Sequence, residues 1–201
     1  MSIARKILKS TFAQVAGKAI TALLAVLVVK ILSNYLSKSG YGDYGTVYEF
    51  LAFFGAMADL GIFTIAVREM SSSKNSEKIF QNSLTLRTLT TTIAMSLGVI
   101  VAFLITRYQG TYIPYGIAIA SIATWLVILS GTLSIALQAR LKMEYQAIAL
   151  VLGKILTVGA IITTVNTHPI ATKQSFYLLL WAGVAGSFLT FLLTYILPAN
   201  L

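Results

Sequence analysis

Lys18, Lys30, Asp59 and Lys154 lie inside stretches that otherwise read as membrane-spanning helices. A charged side chain at bilayer depth costs about 2.5–3.5 kcal/mol on insertion scales, so such residues are kept where they line a polar path or hold a polar group. The chemistry on offer is electrostatic binding, which points to transport. Three interior lysines against Asp59 and Glu49 make the interior cationic, and positive walls concentrate anions. Phosphate or diphosphate suits such a site better than a cationic drug, because lysine acts on phosphate as a point charge.

Depth along each helix suggests how these groups pair. Span one is centred near Leu23 or Leu24, so Lys18 lies about 8 Å to its cytoplasmic side at the α-helical rise. Asp59 falls on the same side of its own span, while Lys30 and Glu49 both fall roughly 10–12 Å toward the outside. Two ion pairs are therefore expected, Lys18 with Asp59 and Lys30 with Glu49. Lysines near an interface also snorkel, which offers Lys18 and Lys30 a plainer role. Asp59 is too short to snorkel; its plainer role is a hydrogen bond beside Gly61. Lys154 sits near a midplane with no acidic partner, and is expected to face a cavity. Lys18, Asp59, Lys154 and Arg68 are the candidate substrate-binding residues. Lys30, Glu49 and Glu69 are candidates for ion pairing or gating.

Other chemistries lack their residues. The chain has no cysteine and one histidine, His168, which excludes thiolate sites and imidazole clusters. Its acidic residues are too dispersed for a carboxylate pair, and no glycine-rich loop with a lysine offers a phosphate cradle for ATP. No enzyme activity, metal or cofactor is expected. The net charge of +9 does not point to nucleic acid, because the basic residues lie between the spans and no basic patch with interleaved aromatics stands free of them.

The elements that carry these residues are apolar helices. With 57% hydrophobic and 10% charged residues, the chain is far from the roughly 25% charged of a soluble domain. Six spans, each near the 20 residues a bilayer requires, are read at 11–36, 46–68, 86–106, 113–137, 146–165 and 175–197. Continuous apolar runs argue for helices over the alternating pattern of barrel strands. The expected fold is an all-α polytopic transmembrane bundle of six helices over residues 1–201. Arg5, Lys6 and Lys9 resemble the start of a signal peptide, but the run from Phe12 to Leu36 is too long for its core.

Separators read as a glycine-rich turn (Ser37–Gly45), a polar loop (Ser71–Lys78), RYQGTY before Pro114, a charged stretch (Gln138–Tyr145), and a loop containing Pro169. An inside N-terminus puts Arg5, Lys6, Lys9, Arg68, Lys74, Lys78, Arg87, Arg140 and Lys142 in inner segments, and only Lys38, Arg107 and Lys173 outside. Nine against three places both termini in the cytoplasm.

The order of several motifs adds a family resemblance. A basic start and a polar-studded first helix lead to Gly40-Tyr41-Gly42-Asp43-Tyr44-Gly45, then to Ala58-Asp59-Leu60-Gly61-Ile62 and Arg68-Glu69. Leu137-Gln138-Ala139-Arg140-Leu141-Lys142-Met143 precedes the span that carries Lys154. Over residues 3–195 this resembles the N-terminal half of polysaccharide repeat-unit flippases, in the superfamily that includes multidrug and toxin exporters. The resemblance implies ion-driven alternating access that moves a polyprenyl-diphosphate-linked oligosaccharide to the outer leaflet of the cell (plasma or inner) membrane. It also implies two lobes around a cationic cavity. Six spans amount to one lobe, so a second lobe, as a C-terminal half or a partner chain, is an expected partner beside the lipid-linked oligosaccharide and membrane lipids. The alternatives are a multidrug or cation antiporter of the same superfamily and a membrane-embedded enzyme of glycan assembly.

Overall fold

The computed structural model describes residues 3–59, 64–65, 68–69, 76–139 and 142–199, except the side chains of 3–7, 9, 76, 139 and 198–199. Six long helices follow one another: α1 (Ile3–Tyr35), α2 (Lys38–Asp59), α3 (Ser76–Leu104), α4 (Ile113–Ala139), α5 (Met143–Thr167) and α6 (Lys173–Ala199). A 3₁₀ turn at Thr106–Tyr108 follows α3, and no strand occurs among the described residues. The fold is the all-α bundle expected.

Local chemistry sets the helix ends. Gly110, at φ +75°, takes the left-handed conformation that turns the chain between α3 and α4. Pro114 then falls in the first turn of α4, where its missing N–H costs nothing. Thr172 and Ser175 cap α6 reciprocally. The Ser175 N–H donates to Thr172 Oγ1 at 3.2 Å, and the Thr172 N–H donates to Ser175 Oγ at 2.8 Å.

The stretch expected as a glycine-rich turn is instead helical. Only Leu36 and Ser37 separate α1 from α2, and Ser37 Oγ accepts the Gly40 N–H at 3.1 Å as an N-terminal cap. Tyr41, Tyr44, Val47, Tyr48 and Leu51 recur at helical spacing and pack on the core, which outweighs the glycines between them. At the other end, Leu60-Gly61-Ile62 and most of the Ser71–Lys78 loop lie outside the described residues, although Ser76–Lys78 already belongs to α3.

The most extensive packing joins α5 to α6, followed by α4 with α6 and α1 with α5; α3 packs on α4 and α2, whereas α1 and α2 barely touch. Lipid is as apolar as leucine, so helices gain by close approach rather than by burying apolar area. Gly153 and Gly186 provide that approach between α5 and α6. A Cβ on Gly153 would fall on Thr190 Oγ1 and 2.6 Å from the Gly186 carbonyl oxygen. One on Gly186 would fall on Thr157 Oγ1 and 2.5 Å from the Gly153 carbonyl.

Helices α1 and α5 run parallel, as the alternation of spans requires. At one end the Met143 N–H donates to Ser10 Oγ at 3.4 Å. At the other, Tyr35 Oη donates to the His168 carbonyl at 2.6 Å. Between them Gly17 lies against Ala147, where an added Cβ would meet the alanine methyl at 2.9 Å.

Five helices are long and apolar enough to cross a membrane: Ser10–Tyr35, Glu77–Leu104, Ile113–Gln138, Met143–Thr167 and Lys173–Leu197. Helix α2 does not reach that mark over its described length, which carries Lys38, Asp43, Glu49 and Asp59 within 22 residues. The chain is a multi-pass membrane protein.

Candidate functional site

Where α1 and α2 barely touch, the helices line a half-open cavity of about 790 Å³ with walls from α1, α2, α4, α5 and α6. The α5 wall is one helical stripe: Gln146, Leu150, Lys154 and Thr157 follow at intervals of four, four and three. Gly153, the neighbour of Lys154, is buried against α6, and the next 100° of helix turns Lys154 into the cavity. Lys154 is the only formally charged residue among the described lining, and it makes no ion pair or hydrogen bond with the described residues.

Around it the cavity presents hydroxyl oxygens. Thr21, Thr124, Ser130, Thr157 and Thr190 all line the wall, and each donates its proton to a carbonyl four residues earlier at 2.9–3.1 Å. Such back-bonding satisfies the donor within the helix, and the Thr157 and Thr190 hydroxyl oxygens lie in the α5–α6 contact itself, against Gly186 and Gly153. Ser187 and Gln146 add further polar atoms, and Tyr44 and Tyr48 form part of the α2 wall. The site thus combines one cation, a set of polar groups and a pair of phenol rings. It can hold an anion in polar surroundings.

The other charged candidates are not brought to this wall. The Lys18–Asp59 pair does not form: Arg87 Nη1 binds Asp59 Oδ1 at 2.6 Å, with Arg87 side-chain exposure of 8% and Asp59 of 47%. An arginine from the adjacent α3 takes the carboxylate, while Lys18 stands on a helix that α2 hardly touches. Lys18 is exposed, one turn beyond Thr21 on the stripe that continues through Ala25 and Val28 into the cavity. The Lys30–Glu49 pair is also absent among the described residues, and both side chains are exposed. Arg68 and Glu69 are helical and exposed, and both have interaction partners.

Arg87 is the residue that sequence reasoning misplaced. The sequence puts it with the inner segments, at the edge of the span read at 86–106, yet α3 begins ten residues before position 86 and buries Arg87. Thr90 Oγ1 lies 3.4 Å from the Ala58 carbonyl, adding a second polar link between α2 and α3 at this level. The cavity residues Gln146, Tyr44 and Tyr48 were also missed, although spacing carries them: Gln146 lies eight before Lys154, and the tyrosines are four apart.

A family model described as polysaccharide biosynthesis protein matches residues 7–198. No curated protein and no solved structure matches the chain.

Proposed function

Because the chain belongs to the polysaccharide biosynthesis protein family, we propose that it works as a translocator, not an enzyme, for a polyprenyl-diphosphate-linked oligosaccharide. The observation that carries this reading is Lys154, the sole formal charge on the described wall of a hydroxyl-lined cavity within the bundle. A cation desolvated at that depth is stabilised by an anion, and the diphosphate is the anionic part of such a substrate. Thr124, Gln146 and Ser187 on the cavity walls offer polar partners to sugar hydroxyls. Alternating access driven by an ion gradient would then carry the glycan outward across the cell membrane, with both termini of the chain in the cytoplasm as the basic residues suggest.

A second lobe completes this reading. Lys18, Lys30 and Glu49 are exposed on α1 and α2 at positions that lipid would penalise. A polar surface of another lobe, in the same polypeptide or a partner, would cover them.

The test is reconstitution of the full-length transporter in vesicles with a fluorescent polyprenyl-diphosphate oligosaccharide. Lys154→Gln is expected to slow translocation by about tenfold or more, the equivalent of about 1.4 kcal/mol. Lys154→Arg keeps the charge and is expected to restore part of the rate, because its broader fork fits phosphate differently. Undiminished translocation by Lys154→Gln at equal membrane abundance would remove the basis of this reading.

A further inference from the structure

Of the ten tyrosines, Tyr145 and Tyr195 lie at the end where α5 begins and α6 finishes. The other eight gather toward the opposite end, which is the outer one by the charge rule. An interfacial belt explains those that face outward, such as Tyr115 at 58% exposure. It does not explain Tyr44 and Tyr48, which are turned into the cavity.

These two rings stand one turn apart on α2, with centroids 5.0 Å apart and planes tilted by 53°. Phe176 braces Tyr44 edge-on at 6.3 Å. Tyr48 reaches across to α6, where a Cβ on Gly183 would lie 2.9 Å from its hydroxyl oxygen. The glycine leaves room there that no other residue would. The antiparallel register of α5 and α6 sets Gly186 beside Thr157, so Gly183 is level with Ala160, six residues past Lys154. The Tyr48 hydroxyl therefore lies about 9 Å nearer the outer end than Lys154.

We propose that Tyr44 and Tyr48 form the sugar-contacting wall of the cavity, taking the apolar face of a sugar ring attached to a diphosphate held at Lys154. This rests on the reading of Lys154 as the diphosphate site. A pyranose has a C–H face that packs on an aromatic ring and an edge of hydroxyls that needs hydrogen-bonding partners. The phenol rings provide the first, and aromatic contacts add binding beyond their buried area. Thr124, Gln146 and Ser187 provide polar partners for the second from the walls of α4, α5 and α6. The offset from Lys154 matches the reach from a diphosphate to its first sugars, and it directs the glycan toward the outer mouth.

The experiment uses the full chain in lipid nanodiscs and titration calorimetry with two probes: a short-chain prenyl diphosphate, and the same compound carrying one hexose. The parent is expected to bind the hexosylated compound about tenfold more tightly than the bare one. Tyr44→Leu and Tyr48→Leu should bring that ratio close to one without changing affinity for the bare compound, which also reports a folded site. Tyr44→Phe and Tyr48→Phe should keep the ratio, because the ring and not the hydroxyl makes the stack. Lys154→Gln should weaken both compounds alike. A parent ratio near one, or a ratio preserved in both leucine variants, overturns the tyrosine wall and leaves the diphosphate site standing. If Lys154→Gln changes neither affinity, the diphosphate reading fails, while the leucine variants still decide the tyrosines by the ratio. Absence of binding by either compound to the parent overturns both.

Discussion

Two side chains that differ in burial hold α2 to α3, and their asymmetry predicts which substitution hurts more. Asp59→Asn removes a carboxylate that faces a buried guanidinium, whereas Arg87→Gln leaves a carboxylate that is already half in contact with the surroundings. Breaking a buried pair costs several kcal/mol and breaking an exposed one less than one. The expected losses are therefore about 2–3 kcal/mol for Asp59→Asn and about 1 kcal/mol for Arg87→Gln, read from thermal unfolding in nanodiscs. The double variant should cost less than the sum, with a coupling of about 0.5–3 kcal/mol. Strict additivity would mean that the contact contributes nothing. At this scale Lys154 was legible because a midplane lysine without a neighbour in reach has few places to go but a cavity. Arg87 was not legible. An arginine near a span boundary looks like a loop residue, and only the extended length of α3 turns it inward.

At the scale of helices, the close approach of α5 and α6 depends on two missing side chains. Gly153→Ala would set a methyl against the Gly186 backbone, which cannot move aside as a flexible side chain would. Overpacking of this kind costs about 1–3 kcal/mol. Gly159→Ala on the same helix meets nothing within 4 Å and is expected to be neutral or to stabilise by up to about 1 kcal/mol through helix propensity. Equal melting temperatures for the two variants would deny the close contact. A second helix-scale prediction concerns the start of α2: Ser37→Ala removes the acceptor of the Gly40 N–H and should cost about 0.5–2 kcal/mol. Five of the six expected spans were readable from apolar runs, and the observed helix limits fall close to those expected for α4, α5 and α6. The beginning of α2 was misread because Gly40, Gly42 and Gly45 signal a turn in isolation. The apolar periodicity from Tyr41 to Leu51 and the Ser37 cap win over that signal once α4 and α6 are there to receive it. The cavity walls were harder still. Which stripe of an apolar helix faces inward depends on crossing angles that no single helix records, so the polar lining from α1, α4 and α6 emerged only with the bundle assembled.

For the whole molecule, the contacts at the two ends of α1 and α5 sort the helix termini into two sets, one on each side of the membrane. Ser10 with Met143 marks one side, and Tyr35 with His168 the other. Alternation alone leaves the direction open, since an inverted molecule has the same contacts. The charge rule gives the expected direction: with Arg87 set aside as buried in α3, eight Lys and Arg fall in the segments read on the Ser10 side against three on the Tyr35 side. The tyrosine gathering adds no vote, because aromatic belts form at both interfaces. The absence of cysteine makes a direct reading simple. Ser39 lies exposed in the first turn of α2 and Glu77 exposed in the first turn of α3, at opposite ends of the bundle. Neither residue lines the cavity, so a cysteine at either position should leave it intact. In intact cells an impermeant thiol reagent is expected to label Ser39→Cys and to spare Glu77→Cys until the membrane is permeabilised. The reverse pattern would turn the molecule over, and with it the direction in which the Tyr44–Tyr48 wall points from Lys154. Labelling of both in intact cells would instead break the alternation of the helices on which both orientations depend.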